Sequence, residues 1–282
     1  MGNGTRPLDG IRVLDLGRHQ AGPRCAQVLA RLGAEVIKIE RLEGEETRAH
    51  GPWANGQSAY FVQYNSGKKS LAMDLRQERA KAILRDLVKV SDVFLQNFRP
   101  GTIDKMGFGY DVLKELNPRI IMVNVSAYGQ FGPYSERIGY DPIGQAMSGI
   151  MMVTGQEGMP PIQTGVPIID RTTALHAAIG TLAAIVERSV SGKGQTIDVC
   201  LADSGYSLTE IPITAQHGGG TLPPRYGGAA MSNVELTFAI KPDAIKALAR
   251  FTEEMGFIKK EEHDRIDWSK FINSSFVDAA TK

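Results

Sequence analysis

Asp170 is the residue whose neighbours point most directly to chemistry. It closes an apolar loop, Pro160-Pro161-Ile162-Gln163-Thr164-Gly165-Val166-Pro167-Ile168-Ile169, and it precedes a helical pattern running through Leu182, Ile185 and Val186 to Gly192. An aspartate at that place predicts a helix N-cap, its carboxylate accepting from orphan N–H groups of the first turn. The same place predicts a carboxylate held ionised by the helix dipole. A fixed, ionised carboxylate can serve as a covalent nucleophile, so cap and catalyst both remain open. His176, further along the helix, is a lone helix histidine, a type more often structural than acid–base; no role is assigned to it. Asp203 and Glu210 read as surface or cap residues.

Hydrophobic periodicity predicts the elements that position Asp170. Ile11–Leu16 is a short apolar run that reads as a buried strand. A Gly/Pro loop, Gly17 to Pro23, follows, with Pro23 suited to the first helical position. The helix turns Cys25, Val28, Leu29 and Leu32 inward and Gly33 caps it. Glu35–Glu40 is a second strand, so the two strands lie parallel in a βαβ unit. Gly44–Gly67 is a long irregular stretch, of a length that is usually functional or partly structured. Leu71–Leu75 is a short strand, and Gln77–Val90 a helix with Ala80, Ile83, Leu84, Leu87 and Val88 on one face. Strands follow at Val93–Phe98 and Ile120–Val125, with two short helices between Thr102 and Asn117. Thr196–Leu201 is a further strand, and Ala202–Gln216 a helix interrupted near Pro212. This alternation predicts an α/β fold with a doubly wound parallel sheet. Composition shifts at Gly218-Gly219-Gly220 and Gly227-Gly228 divide a core, 1–227, from a helical C-terminal tail, 228–282.

The chain has 282 residues, 42% hydrophobic and 22% charged, with a formal net charge of +1. Such a length holds one large domain or two smaller ones with an ample core. The charge balance gives no electrostatic case for nucleic acid. No apolar run reaches a membrane span, and Met1 to Pro7 lacks the apolar core of a signal peptide. Arg6 stands where a myristoylation motif needs Ser or Thr. Two cysteines, Cys25 and Cys200, make neither a disulfide framework nor a zinc site. A cytoplasmic home without membrane or nucleic-acid partners is the expectation.

Several motifs recur in one family's order: Pro7-Leu8-Asp9-Gly10-Ile11-Arg12-Val13-Leu14-Asp15, Gln20-Ala21-Gly22-Pro23, and Leu32-Gly33-Ala34-Glu35-Val36-Ile37-Lys38-Ile39-Glu40. Asn65, Lys68-Lys69-Ser70, Asp74-Leu75, Asn97-Phe98-Arg99-Pro100-Gly101, Asn117-Pro118-Arg119-Ile120 and Tyr128-Gly129-Gln130-Phe131-Gly132-Pro133 continue the series. The segment around Asp170 and Gly192-Lys193-Gly194-Gln195 close it. The first 225 or so residues thereby resemble a family III CoA-transferase, the group of formyl-CoA and carnitine CoA-transferases. The resemblance implies a CoA-binding domain and transfer of CoA from an acyl-CoA to a free carboxylic acid. Asp170 would attack the thioester and carry an aspartyl-CoA intermediate. It implies a coenzyme A thioester as substrate, no permanently bound cofactor, no metal, and a homodimer.

By the same resemblance, Gln20 and Ala21 match a loop lining the thioester end of CoA. Arg41 matches a basic residue near the nucleotide, and Asn97 and Phe98 match positions in the CoA channel. Lys105 stands where relatives often have arginine, and would meet phosphate as a point charge, not a fork. On residue type alone, Arg41 and Lys105 read as solvated surface charges and Phe98 equally as core. Tyr140, Met147, Met151 and Met152 are lining candidates, although a Met-rich helix face is more often core.

Three rival readings remain. An α-methylacyl-CoA racemase needs a histidine where this chain has Gly139-Tyr140-Asp141, and a phenol with a reference pKa of about 10 is a poor base near neutrality. A nicotinamide enzyme needs a G-x-G-x-x-G turn that Gly17-Arg18-His19-Gln20-Ala21-Gly22-Pro23 lacks. A truncated or fused CoA-binding remnant is the third. Family members are longer and carry a small α/β domain largely missing here, and the tail faintly resembles the last helices of periplasmic substrate-binding proteins.

Overall fold

Val13 and Leu14 show how the sheet is buried. They are adjacent in strand β1 (Arg12–Asp15), and the pleat sends them to opposite faces, each into its own hydrophobic cluster. A strand covered on both faces reads as a continuous apolar run, as in parallel sheets. Strands β2 (Glu35–Glu40), β5 (Lys69–Ala72), β6 (Val93–Gln96), β7 (Ile121–Ser126) and β8 (Thr196–Cys200) join β1 in a six-stranded sheet of order β5-β2-β1-β6-β7-β8. Every pairing in it is parallel. The remaining two strands, β3 (Trp53–Ala54) and β4 (Gln57–Ser58), form a small antiparallel hairpin. The computed structural model describes residues 6–219 and Arg225, so the boundary expected near residue 227 and the tail 228–282 lie outside the described residues.

Two compact units emerge, the first made of described residues 6–148 and 165–206 and the second of 149–164, 207–219 and Arg225. In the first, helices α1 (Ala21–Arg31) and α8 (Ile168–Ser191) cover one sheet face, where Cys25, Ala26 and Leu29 meet Ala174, Ala177 and Ala178. Small alanines there let α8 approach closely. Helices α3 (Glu78–Lys89), α4 (Thr102–Lys105) and α5 (Tyr110–Leu116) supply Leu84, Val88, Ile103 and Leu113 to the cluster containing Phe94 and Met122. Ile83, expected on the apolar face of α3, is 45% exposed. Helix α1 begins at Ala21, two residues before Pro23. The irregular stretch 44–67 holds a 3-10 turn (Glu46–Ala49), the hairpin, and helix α2 (Ala59–Asn65), whose N-cap Ser58 accepts from the Phe61 N–H. Helices α6 (Asp141–Met147) and α9 (Leu201–Tyr206) complete this unit.

The second unit contains helices α7 (Ile150–Val153) and α10 (Glu210–Gly219). Thr154 Oγ1 donates to the Ile150 carbonyl at 2.7 Å, and Arg225 Nε donates to the Met152 carbonyl at 2.6 Å. The helix expected to break at Pro212 breaks earlier, at residues 207–209. Pro212 is the third residue of α10, where a missing N–H breaks no bond of the helix. Gly218 and Gly219 close α10, while Gly220 lies outside the described residues. Among the described residues no helix is long and apolar enough to cross a membrane.

Candidate active site

The sheet order reverses direction between β1 and β6, and crevices at such switch points, beyond the carboxyl ends of the strands, are where α/β sheets bind ligands. The loop after β1 carries Arg18, His19 and Gln20, and the loop after β6 carries Asn97 and Phe98. Asn97 staples the two together: its Oδ1 accepts from the Arg18 N–H at 2.7 Å and its Nδ2 donates to the Arg18 carbonyl at 2.8 Å. Gly22 permits the approach, because a Cβ there would lie 3.1 Å from Asn97 Cγ. The Phe98 N–H donates to Gln96 Oε1 at 2.6 Å, which fixes the turn that presents the ring.

Gln20 flanks the start of α1, whose first turn has no side-chain cap and no acidic residue. Free N–H groups at a helix N-terminus favour a negative ligand. Tyr64 Oη donates to Gln20 Oε1 at 3.0 Å and orients the amide. The first β-to-α loop is clamped from beneath by a buried ion pair. Lys38 Nζ lies 2.6 Å from Glu45 Oε2 and donates to the Gly17 carbonyl at 2.7 Å, with both side chains nearly inaccessible. Glu45 Oε1 accepts from the His19 N–H at 2.8 Å and from Thr47 Oγ1 at 2.6 Å.

Asp170 enters from α8. The helix starts at Ile168 with Pro167 at the cap position, so Asp170 is its third residue and not its cap. The capping work falls to Asp141, whose Oδ1 accepts from the N–H groups of Ile169 at 2.8 Å and Asp170 at 3.0 Å. Gly144 makes this docking possible, since a Cβ there would come within 2.8 Å of Ile169 Cγ2. The expectation that the dipole holds Asp170 ionised is corrected by its surroundings. Burial, and then the charge of Asp141, push the Asp170 carboxyl up to about 7. Desolvation and a like charge outweigh the helix terminus here, whose first N–H groups Asp141 already occupies. Asp141→Asn keeps an Oδ1 acceptor but removes the charge. The midpoint for Asp170 ionisation is expected to fall without returning to the ordinary carboxylate range, since burial remains. NMR titration of the Asp170 carboxyl carbon checks this; an unchanged midpoint would show that Asp141 contributes no charge effect.

A cavity of about 390 Å³ brings together Gln20, Ala21, Asn97, Phe98 and Asp170, with His19 and Tyr140 also on its wall. A second cavity, of about 600 Å³, contains Arg41 and Arg76, and Arg18, Glu46 and Phe98 line both. Arg41 is well exposed and only 4.0 Å from Glu46. Lys105 is exposed at the end of α4 and lines neither cavity. Met147 and Met152 are exposed and, with Met151, are also absent from both walls, whereas Tyr140 is present. His176 Nδ1 sits 3.1 Å from Ser204 Oγ, a satisfied side-chain contact. Asp141, Glu45 and His19 are the neighbours to which sequence reasoning gave no role; Asp141 and His19 stood in segments quoted there, and Glu45 did not. Among the described residues no group of three or more His, Cys, Asp or Glu is set up to hold a metal ion.

Comparison with known proteins agrees with this architecture. The profile of CoA-transferase family III matches residues 8–255. A formyl-CoA:oxalate CoA-transferase of Streptomyces avermitilis is 39% identical over 213 residues, 75% of this chain and 52% of its own length. A succinyl-CoA:glutarate CoA-transferase of Mus musculus is 43% identical over 209 residues, 73% of this chain and 48% of its own. The chain thus spans about half the length of these curated relatives. The crystal structure of a CaiB/BaiF family protein from Brucella suis superposes with a TM-score of 0.76 at 39% identity, covering 79% of this chain and 60% of that one. The chain, an α/β protein, belongs to CoA-transferase family III.

Proposed function

We propose that the chain moves CoA from an acyl-CoA thioester to a free carboxylic acid through a covalent intermediate on Asp170. One observation carries the reading: Asp170 shares a cavity with Gln20, Ala21 and the uncapped start of α1. An Asp170 oxygen attacks the thioester carbon, the C–S bond breaks, and CoA thiolate leaves a mixed anhydride. The thiolate then attacks the Asp170 acyl carbon and expels the substrate's carboxylate, giving an aspartyl-CoA thioester. An incoming carboxylate repeats the two steps in reverse and frees Asp170. No net proton moves, so the site needs a carboxylate nucleophile and oxyanion donors. N–H groups at the start of α1 and the Gln20 amide supply donors. A carboxyl raised to about 7 is more basic than an ordinary one and still ionises near neutrality, which suits a nucleophile.

Arg41 and the second cavity fit the phosphate-bearing end of CoA, and Phe98 joins the two cavities along the channel. Asn97 shapes that channel through its grip on Arg18, and Lys105 would act only as an exposed charge at its periphery. The relatives named for oxalate and glutarate support a carboxylate acceptor without naming the acid here. The test is formation of a new acyl-CoA when the chain is mixed with an acyl-CoA and a second acid. Loss of the α-proton to deuterated water without new acyl-CoA would favour a racemase, and neither event a CoA-binding remnant.

The reading includes a cytoplasmic home, consistent with two buried, unpaired cysteines, and a homodimer. Leu175, Ile179, Val186 and Val190 form an exposed apolar stripe along the 24-residue α8, and a second copy would cover it. Sedimentation equilibrium is expected to give twice the chain mass; a monomer at micromolar concentration would contradict the dimer.

A further inference from the structure

Two residues other than glycine have left-handed backbones among the described residues, Asn55 at φ +51° and His19 at φ +62°. Asn55 has a local explanation: Asn55-Gly56 is the turn of the β3–β4 hairpin, where such a pair is favoured. His19 has none of that kind. Glycine would adopt this backbone freely, so the imidazole is what histidine adds at the position. The strained conformation is held from outside. The His19 N–H donates to Glu45 Oε1, and Glu45 is itself locked by Lys38 and Thr47 in the protein interior. Strain maintained by buried groups beside a ligand cavity is the pattern of a side chain aimed for use.

The ring lies on the wall of the cavity that holds Asp170. It meets the Tyr140 ring edge-on at 5.7 Å, with His50 at 6.5 Å beyond. Among the described residues no hydrogen bond reaches either ring nitrogen. Burial lowers the His19 pKa below the ordinary histidine range, helped by Arg18, His50 and Lys38 and opposed by Glu45. The ring is therefore a neutral donor near neutrality.

We infer that His19 is a specificity-determining residue, its imidazole N–H donating to the carboxylic acid that exchanges at Asp170. This rests on the aspartyl-CoA reading. One carboxylate oxygen attacks the Asp170 thioester carbon while the C–S bond breaks and thiolate departs. The other oxygen accepts from His19, and the proton stays on the ring.

The experiment pairs two readouts on the 282-residue chain: trapping of the Asp170 adduct from acetyl-, succinyl- and benzoyl-CoA, and exchange of each matching isotope-labelled acid into its CoA ester. His19→Gly suits the left-handed backbone and keeps the fold; His19→Asn tolerates it and keeps a shorter polar group. For whichever acid the native chain exchanges, His19→Gly is expected to raise the half-saturating acid concentration about tenfold or more, with adduct yield at saturating acyl-CoA within about twofold of native. His19→Asn should fall between, and added imidazole should lower the value for His19→Gly. An unchanged acid dependence in His19→Gly, with the adduct intact, overturns the role of His19 alone. Absence of any adduct in the native chain overturns the Asp170 reading and this inference with it.

Discussion

Asp170→Asn is expected to lower kcat/KM for CoA transfer by at least about a thousandfold while leaving the chain as stable as before or more so. The two halves have different causes. Asparagine keeps the shape and the backbone N–H that donates to Asp141, but it cannot form the anhydride. The stability half follows from the raised ionisation. Below about pH 4 the carboxyl is protonated in both folded and unfolded chains. Between that point and about 7 the unfolded chain has released the proton and the folded chain has not, so stability falls as pH rises. Above about 7 the loss is complete. An asparagine side chain does not titrate, so the variant gains on the native chain across that interval and keeps the advantage above it. Urea unfolding at mildly acidic and mildly alkaline pH checks this. A plain helix cap predicts no gain, because asparagine caps a helix about as well as aspartate.

The largest stability effect is expected at Lys68. Its side chain is 2% exposed and that of Asp15 is wholly buried. Lys68 Nζ donates to Asp15 Oδ2 at 2.7 Å, to the Pro23 carbonyl at 2.8 Å and to Asn65 Oδ1 at 2.8 Å. One ammonium thus ties the end of β1 to the first turn of α1 and the last residue of α2. Burial works against the Asp15 carboxylate, yet Lys68 and then Lys38 outweigh it and hold the carboxyl below its ordinary range. Lys68→Met removes three bonds and strands a buried carboxylate, at a cost of about 3–5 kcal/mol. Adding Asp15→Asn removes the stranded charge, and the double variant is expected to lose much less than the sum of the two single ones. Denaturant midpoints for the four chains measure the coupling; additive losses would mean that the pair acts as two independent residues. Asp15 also contributes stability present at neutral pH and lost as pH falls through the acid range, because its folded carboxyl ionises more readily than the unfolded one.

The alternating elements were legible because strands such as β1 and β6 are apolar on both faces and cannot be mistaken for polar surface. Val13, Leu14, Phe94 and Leu95 announce the sheet by type alone. Element ends were less visible. β5 lies two residues earlier than the Leu71–Leu75 run, because pairing with Ile37–Glu40 decides its span and not its own hydrophobicity. In the candidate site, the grouping of Asp170, Gln20, Ala21, Asn97 and Phe98 was legible, since motif order names them and the fold brings them to one cavity. What shapes their chemistry was not. Asp141 reaches Asp170 from 29 residues away, and Glu45 sets the backbone of His19 from 26 residues away. Neither contact has a local signature. The basicity of Asp170 is a product of burial and of the Asp141 charge, which its helix-initiating position concealed.

Mass spectrometry of the chain after incubation with acyl-CoAs, with hydroxylamine trapping and peptide mapping, tests the central claim most directly. The account predicts a CoA adduct confined to the peptide containing Asp170 and its conversion to a hydroxamate at that residue. New acyl-CoA formed while the Asp170 peptide stays unmodified, or an adduct mapped to another residue, would contradict it.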